Sequence, residues 1–275
     1  MSVRLFAATA VAGLSALASP AFAQTADWTG FYVGGGVGYS EQSGNEGELV
    51  LFDTDRDGTF NNAVLTATGV NAFSPGFCNG AAQGRTPADG CRFNDGNLNL
   101  SLRAGYDWQV GNWVFGGLID LAQIRLGEDV TAFSTTPASY TFSRDLQSTI
   151  ALRARAGYAF DRYLPYLTAG VVQAEIDHSF NTTNTANSFT PNDPDDNNGY
   201  QAGIGMEMLW GEHLSFGIEY LYTSIEDDEF VVDFGPGTAP LTNAFRIVNP
   251  AGTLVTRGED EFDYDTISVT TSWRF

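Results

Sequence analysis

The residues of this 275-residue chain best suited to chemistry are carboxylates. In the stretch Phe52-Asp53-Thr54-Asp55-Arg56-Asp57-Gly58-Thr59-Phe60-Asn61, acids at alternating positions precede a glycine. That is the opening of an EF-hand calcium loop, in which hard oxygens converge and glycine permits the bend. On this reading Asp53, Asp55 and Asp57 are side-chain ligands of Ca2+, Thr59 coordinates through its carbonyl, and Asn61 adds an oxygen. The match then breaks off. The twelfth position, where a bidentate Glu belongs, is Val64, and no helical pattern flanks the loop. The alternative is a solvated acidic turn.

A second constellation is a set of charges spaced in twos. Arg103, Asp107, Arg153, Arg155, Glu207, Glu219 and Arg274 share phase with small residues along alternating segments, and Asp120 joins them. Four charges of each sign facing one interior are tolerated only when paired as a hydrogen-bonded Arg-carboxylate network. The expected role is structural, with a gate in a narrow conduit as the alternative. Cys78 and Cys91 are the two cysteines and lie in one polar stretch, which in an exported protein predicts a local disulfide. Catalysis finds no support: no nucleophile elbow, zinc-protease motif or phosphate loop occurs, and His178 and His213 stand apart. The formal charge of -20 and the absence of Lys leave no basic face for nucleic acid.

These side chains need elements to hold them, and the periodicity is that of strands. Eight segments of about ten residues alternate apolar with small or polar positions. They fall at 30–40, 98–109, 113–124, 146–160, 163–176, 200–210, 214–222 and 267–275. The links between the second and third, fourth and fifth, and sixth and seventh are a few residues long. The other four, over 41–97, 125–145, 177–199 and 224–262, are long and rich in Asn, Asp, Thr, Gly and Pro. Alternation of long and short links over an even strand count predicts an all-β fold, an eight-stranded antiparallel up-and-down transmembrane β-barrel with four long extracellular loops and short periplasmic turns. In hydrocarbon a sheet must close on itself, and its apolar face then looks outward at lipid. Trp28, Trp108, Trp113, Tyr158, Tyr163, Trp210 and Trp273 collect near the short-link rim as an expected aromatic girdle. Eight strands leave an interior that side chains fill, and the inward glycines are expected to make room for arginines. The acidic runs 193–196, 226–229 and 259–261 are read as solvated faces, able to bind the divalent cations that bridge lipopolysaccharide phosphates.

Residues 1–23 have one early Arg, a short apolar run and an Ala-Phe-Ala ending, the pattern of a signal peptide for Sec-type export, with the barrel domain expected over 24–275. The opening Asp27-Trp28-Thr29-Gly30-Phe31-Tyr32-Val33-Gly34-Gly35-Gly36-Val37-Gly38-Tyr39, the segments Arg103-Ala104-Gly105-Tyr106-Asp107 and Arg155-Ala156-Gly157-Tyr158, and the terminal Trp273-Arg274-Phe275 resemble alphaproteobacterial outer-membrane β-barrel proteins, called porin-like or outer-membrane immunogenic proteins, similar in architecture to the OmpA membrane domain. The resemblance covers all eight strands and implies an outer-membrane location. It also implies that Phe275 is the signal read by the barrel-assembly machinery. The function expected is a structural or surface role in the cell envelope, with outer-membrane lipid and lipopolysaccharide as partners. The alternatives are a small or oligomeric porin-like channel, a calcium-binding adhesin, and a soluble periplasmic ligand-binding barrel. The oligomeric state is left open.

Overall fold

The computed structural model of the protein describes residues 26–43, 48–192, 197–227 and 229–275. The leader read over 1–23, the acidic run 193–196 and Asp228 lie outside the described residues. The barrel strands are β1 (Gly30–Gln42), β2 (Asn97–Val110), β3 (Trp113–Ser134), β4 (Ala138–Tyr158), β5 (Tyr163–Thr182), β6 (Asn197–Trp210), β7 (Leu214–Asp227) and β8 (Glu261–Arg274). Each pairs antiparallel with its sequence neighbour, and β8 returns to β1 with Val269 opposite Val37, so the eight strands form a ring. Closure removes the free edges that a sheet in lipid cannot tolerate. The three tight turns at one rim each begin with a residue in the left-handed region: Gly111 at φ 62°, Asp161 at 52° and Gly211 at 73°. Positive φ matches the twist of hairpin strands, and glycine reaches it without strain.

Alternation sorts the wall into two faces. Leu102 leaves 67% of its surface exposed while its neighbour Arg103 leaves 6%. Outward residues such as Leu100, Ile119, Leu152, Val171, Ile204 and Val269 form an apolar belt, and Trp108, Trp113, Tyr158, Trp210 and Trp273 flank it near the turns. Trp28 departs from the expected girdle because it is wholly buried. It folds into the lumen at the turn end, joins Val114, Leu164 and Tyr166 in an apolar plug, and lies beneath the Arg274 guanidinium at 5.0 Å.

The second of the four long links is also corrected. Strands β3, β4 and β5 run to 22, 21 and 20 residues, well past the belt, so most of 125–145 is a β-hairpin with a short turn at Thr135-Thr136-Pro137. The β3–β4 register slips between Gln123 and Leu126, and the β4–β5 register slips between Leu146 and Ser148. Across Gln147 the inward set of β4 changes from odd positions (Ala151, Arg153, Arg155) to even ones (Tyr140, Phe142, Arg144, Leu146). Such an irregularity re-aims side chains where one environment gives way to another.

Beyond the belt the remaining long links fold into a cap. Short strands Ser188–Pro191, Val232–Gly235, Thr253–Arg257 and Val50–Asp53 pair in that order into a four-stranded sheet. This sheet packs on the β3–β4 extension through Phe52, Phe73, Tyr140, Phe142, Phe234 and Phe245. At the free edge of that hairpin Gly76–Cys78 pairs with β3, and on the face turned away from the cap sheet Thr131 Oγ1 donates to the Gly80 carbonyl at 2.8 Å. The Cys78–Cys91 disulfide ties this flap together.

Candidate functional site

The lumen is filled in layers, beginning above the Trp28 plug. Asp107 on β2, Arg155 on β4, Glu207 on β6 and Arg274 on β8 all point inward because each occupies an even step from the small inward residues of its strand. Arg155 binds Asp107 and reaches Glu207 at 2.5 Å, and Arg274 also binds Asp107 and lies 3.7 Å from Glu207. Next comes a second tier of the same composition. Arg103 lies 3.2 Å from Asp120 and 3.0 Å from Glu219, and Arg153 lies 3.2 Å from each of the same two carboxylates. All eight groups are buried, and each tier balances two guanidinium groups against two carboxylates. Removing one member of such a set leaves a buried charge uncompensated at a cost of roughly 3–5 kcal/mol.

Aromatic side chains complete the tiers. The Arg155 guanidinium lies 4.7 Å from the Tyr32 ring and 5.1 Å from the Tyr166 ring, and the Tyr166 hydroxyl donates to Glu219 at 2.8 Å. Three of the inward glycines make room for groups other than arginine. A Cβ at Gly105 would meet the Tyr32 ring, one at Gly205 the Tyr166 ring and one at Gly116 the Asp107 carboxylate, so the space goes to these groups. Above the second tier, Ser40, Asn99 and Thr266 form a hydroxyl-amide triad, with 2.7 Å between the hydroxyls and 2.6 Å from Asn99 Nδ2 to Ser40. An apolar layer of Ile124, Leu126, Leu146, Ile225 and Phe262 follows.

A third charged cluster lies at the seam between barrel and cap, and sequence periodicity did not disclose it. Arg144 binds Glu128 and, at 3.0 Å, Asp227; Asp227 also meets His178 Nε2 at 2.9 Å. Arg257 holds both oxygens of Glu48 at 2.7 Å and touches Glu128 at 3.1 Å. Asp227, read as part of a solvated run, is buried here. Glu48 and Arg257 sit in links, and Glu128 and Arg144 fall in the stretch 125–145, read as a long link, so no strand phase is assigned to them.

The first-loop acids do come together: carboxylate oxygens of Asp53, Asp55 and Asp57 lie within 4.8 Å of one another. The Asp53 carboxylate accepts backbone N–H groups of Arg56 at 2.6 Å, Asp57 at 3.2 Å and Gly58 at 2.9 Å. Burial would raise its pKa, but these N–H donors prevail and hold it below the usual range. Desolvation and the neighbouring Asp53 and Asp57 push Asp55 upward. Thr59 and Asn61 are exposed; the Thr59 N–H donates to Asp57 at 2.8 Å and Asn61 accepts from Asn62 at 3.1 Å. Arg56, at φ 62°, reaches across to Asp233 of the cap sheet at 2.7 Å. At the far end of the chain, the backbone N–H of Phe275 donates to the Phe31 carbonyl at 2.9 Å, and the side chain points outward, 72% exposed.

A family model described as outer membrane protein beta-barrel domain matches residues 9–275. A 22 kDa outer membrane protein of Rhizobium leguminosarum bv. viciae is 28% identical over 131 residues, covering 48% of this chain and 54% of the relative. The chain thus spans about half the length of that curated relative. The crystal structure of Neisserial surface protein A aligns over 90% of this chain and 98% of its own, at 11% identity and a TM-score of 0.36.

Proposed function

The chain belongs to the outer membrane protein β-barrel domain family, and from that premise we propose that it is a non-conducting structural barrel that displays a folded β cap at the cell surface. As an integral outer-membrane protein with an envelope role, it has lipid around its apolar belt. The observation that carries the finer reading is the filled lumen: an aromatic plug, two neutral Arg-carboxylate tiers and an apolar layer stand in series along the axis. An eight-stranded barrel has an interior only wide enough for such side chains, and a conduit would need one of these layers to part. We assign the protein no catalytic role.

Single-channel recording in planar bilayers tests this. Silence is expected from the refolded protein, and steady conductance would overturn the structural reading in favour of a small or oligomeric pore. The exposed Phe275 is proposed as the mark read by the barrel-assembly machinery; its deletion should lower the outer-membrane yield while leaving in vitro refolding intact. Lipopolysaccharide is proposed to contact the acidic cap through bridging divalent cations, so chelation should weaken its co-purification. Calcium at Asp53, Asp55, Asp57, Thr59 and Asn61 is a separate proposal, supported by the convergence of the three carboxylates. Calorimetric titration should give less heat with an Asp55→Ala, Asp57→Ala variant, and equal heats would dispose of it.

A further inference from the structure

The lumen tiers balance their charges, whereas the cluster at the seam does not. There Glu48, Glu128, Asp227 and Glu259 stand against Arg144 and Arg257, an excess of two carboxylates of which a protonated His178 would offset one. Glu128 is 1% exposed. Its Oε2 receives both arginines, while its Oε1 has no hydrogen-bond partner among the described residues. A buried carboxylate oxygen left without a donor or cation is costly, and in the same cluster Arg257 Nη1 also lacks a partner, so the polar groups here are incompletely paired as they stand.

Glu48, Glu128 and Glu259 each bring one carboxylate oxygen within 4.8 Å of the others. Glu259 also lines a cavity of about 520 Å³ whose wall carries Glu226, Glu229 and Asp260. That cavity provides an electronegative entry and room for the waters that complete a hard ion's shell. Donors that are all oxygen, with no His or Cys, select Ca2+ or Mg2+ over transition metals, and a loosely arranged carboxylate set suits Ca2+.

We propose that Glu48, Glu128 and Glu259 form a calcium site at the seam between barrel and cap, distinct from the Asp53 loop. Its ligands come from the first long link, the β3 extension and the fourth long link, so the ion ties the β3 extension to two links already paired through Val50–Asp53 and Thr253–Arg257. Arg257 keeps its two bonds to Glu48, and the ion takes the free Glu128 Oε1 with Glu259 and a remaining lone pair of Glu48.

The test is calorimetric titration of CaCl2 into the EDTA-stripped full chain refolded in detergent without lipopolysaccharide. A saturable site is expected, together with a higher unfolding temperature in Ca2+ than in EDTA. Glu259→Gln, at a half-exposed position, should fold, as heat-modifiable gel migration will report, and should weaken this site at least tenfold. Glu48→Gln should do the same, and Asp55→Ala with Asp57→Ala should leave it unchanged. Wild-type affinity in either folded Glu variant overturns the proposal, as does loss confined to the Asp55, Asp57 variant or the absence of any binding in the native sequence.

Discussion

The belt of the barrel and the cap above it are built from the same alternating strands, yet they bury opposite faces. In the belt, Leu102 and Val269 look outward and Arg103 and Ser268 look in. In the cap, Phe142, Phe234 and Val255 are fully buried, with charged groups such as Asp55 and Asp57 outside. Water drives the second arrangement, since each large apolar side chain taken from it is worth roughly 1.5–3 kcal/mol. Lipid removes that drive and rewards backbone pairing and charge neutralisation instead. One continuous strand, β4, obeys both rules, and the point of exchange is the slip at Gln147.

Arg155→Met tests the belt side of the comparison and is expected to have the largest effect. It leaves Arg274 alone to neutralise Asp107 and Glu207, and urea unfolding in detergent should report a loss of about 3–5 kcal/mol with little change in cap protection.

Phe234→Ala removes a ring that touches Tyr140, Phe180, Phe189 and Phe245. Its cost of about 3 kcal/mol should appear as faster proteolysis of the cap, with the barrel's unfolding midpoint unmoved. If that midpoint falls equally, the two regions are one cooperative unit. Cys78→Ser with Cys91→Ser opens a short loop on the cap's flank. A loss of about 2–3 kcal/mol is expected, detectable as local cleavage near the Ala81–Ala82 hairpin and reproduced by adding reductant to the unmutated protein.

Period-two alternation made the membrane strands legible because lipid and lumen impose contrasting chemistry on the two faces. The same contrast assigned the inward side to Arg103, Arg153, Arg155 and Arg274, whose tiers could be anticipated as charges in need of partners. The cap was hidden for the converse reason. From Val130 to Phe133 every β3 residue is buried, since sheet covers one face and the disulfide flap the other, and an unbroken buried run carries no phase. Short strands such as Val50–Asp53 and Val232–Gly235 lie among Asn, Asp and Gly and are completed only by one another. Trp28 misled because an indole near a rim suits either the headgroup level or a lumen plug. Composition does not choose between them; the Trp28 carbonyl accepting from Arg274 at 2.6 Å does.

The cap sheet draws its strands from the first, third and fourth long links, so it cannot be complete until three separate lengths of chain have been threaded to the outer side. Unpaired, each length remains free to slip back. Once Val50–Asp53 has joined Thr253–Arg257, the assembled body exceeds what an eight-stranded ring with a packed interior can pass. Assembly of the surface sheet is therefore expected to hold the loops on the outer side once they have crossed.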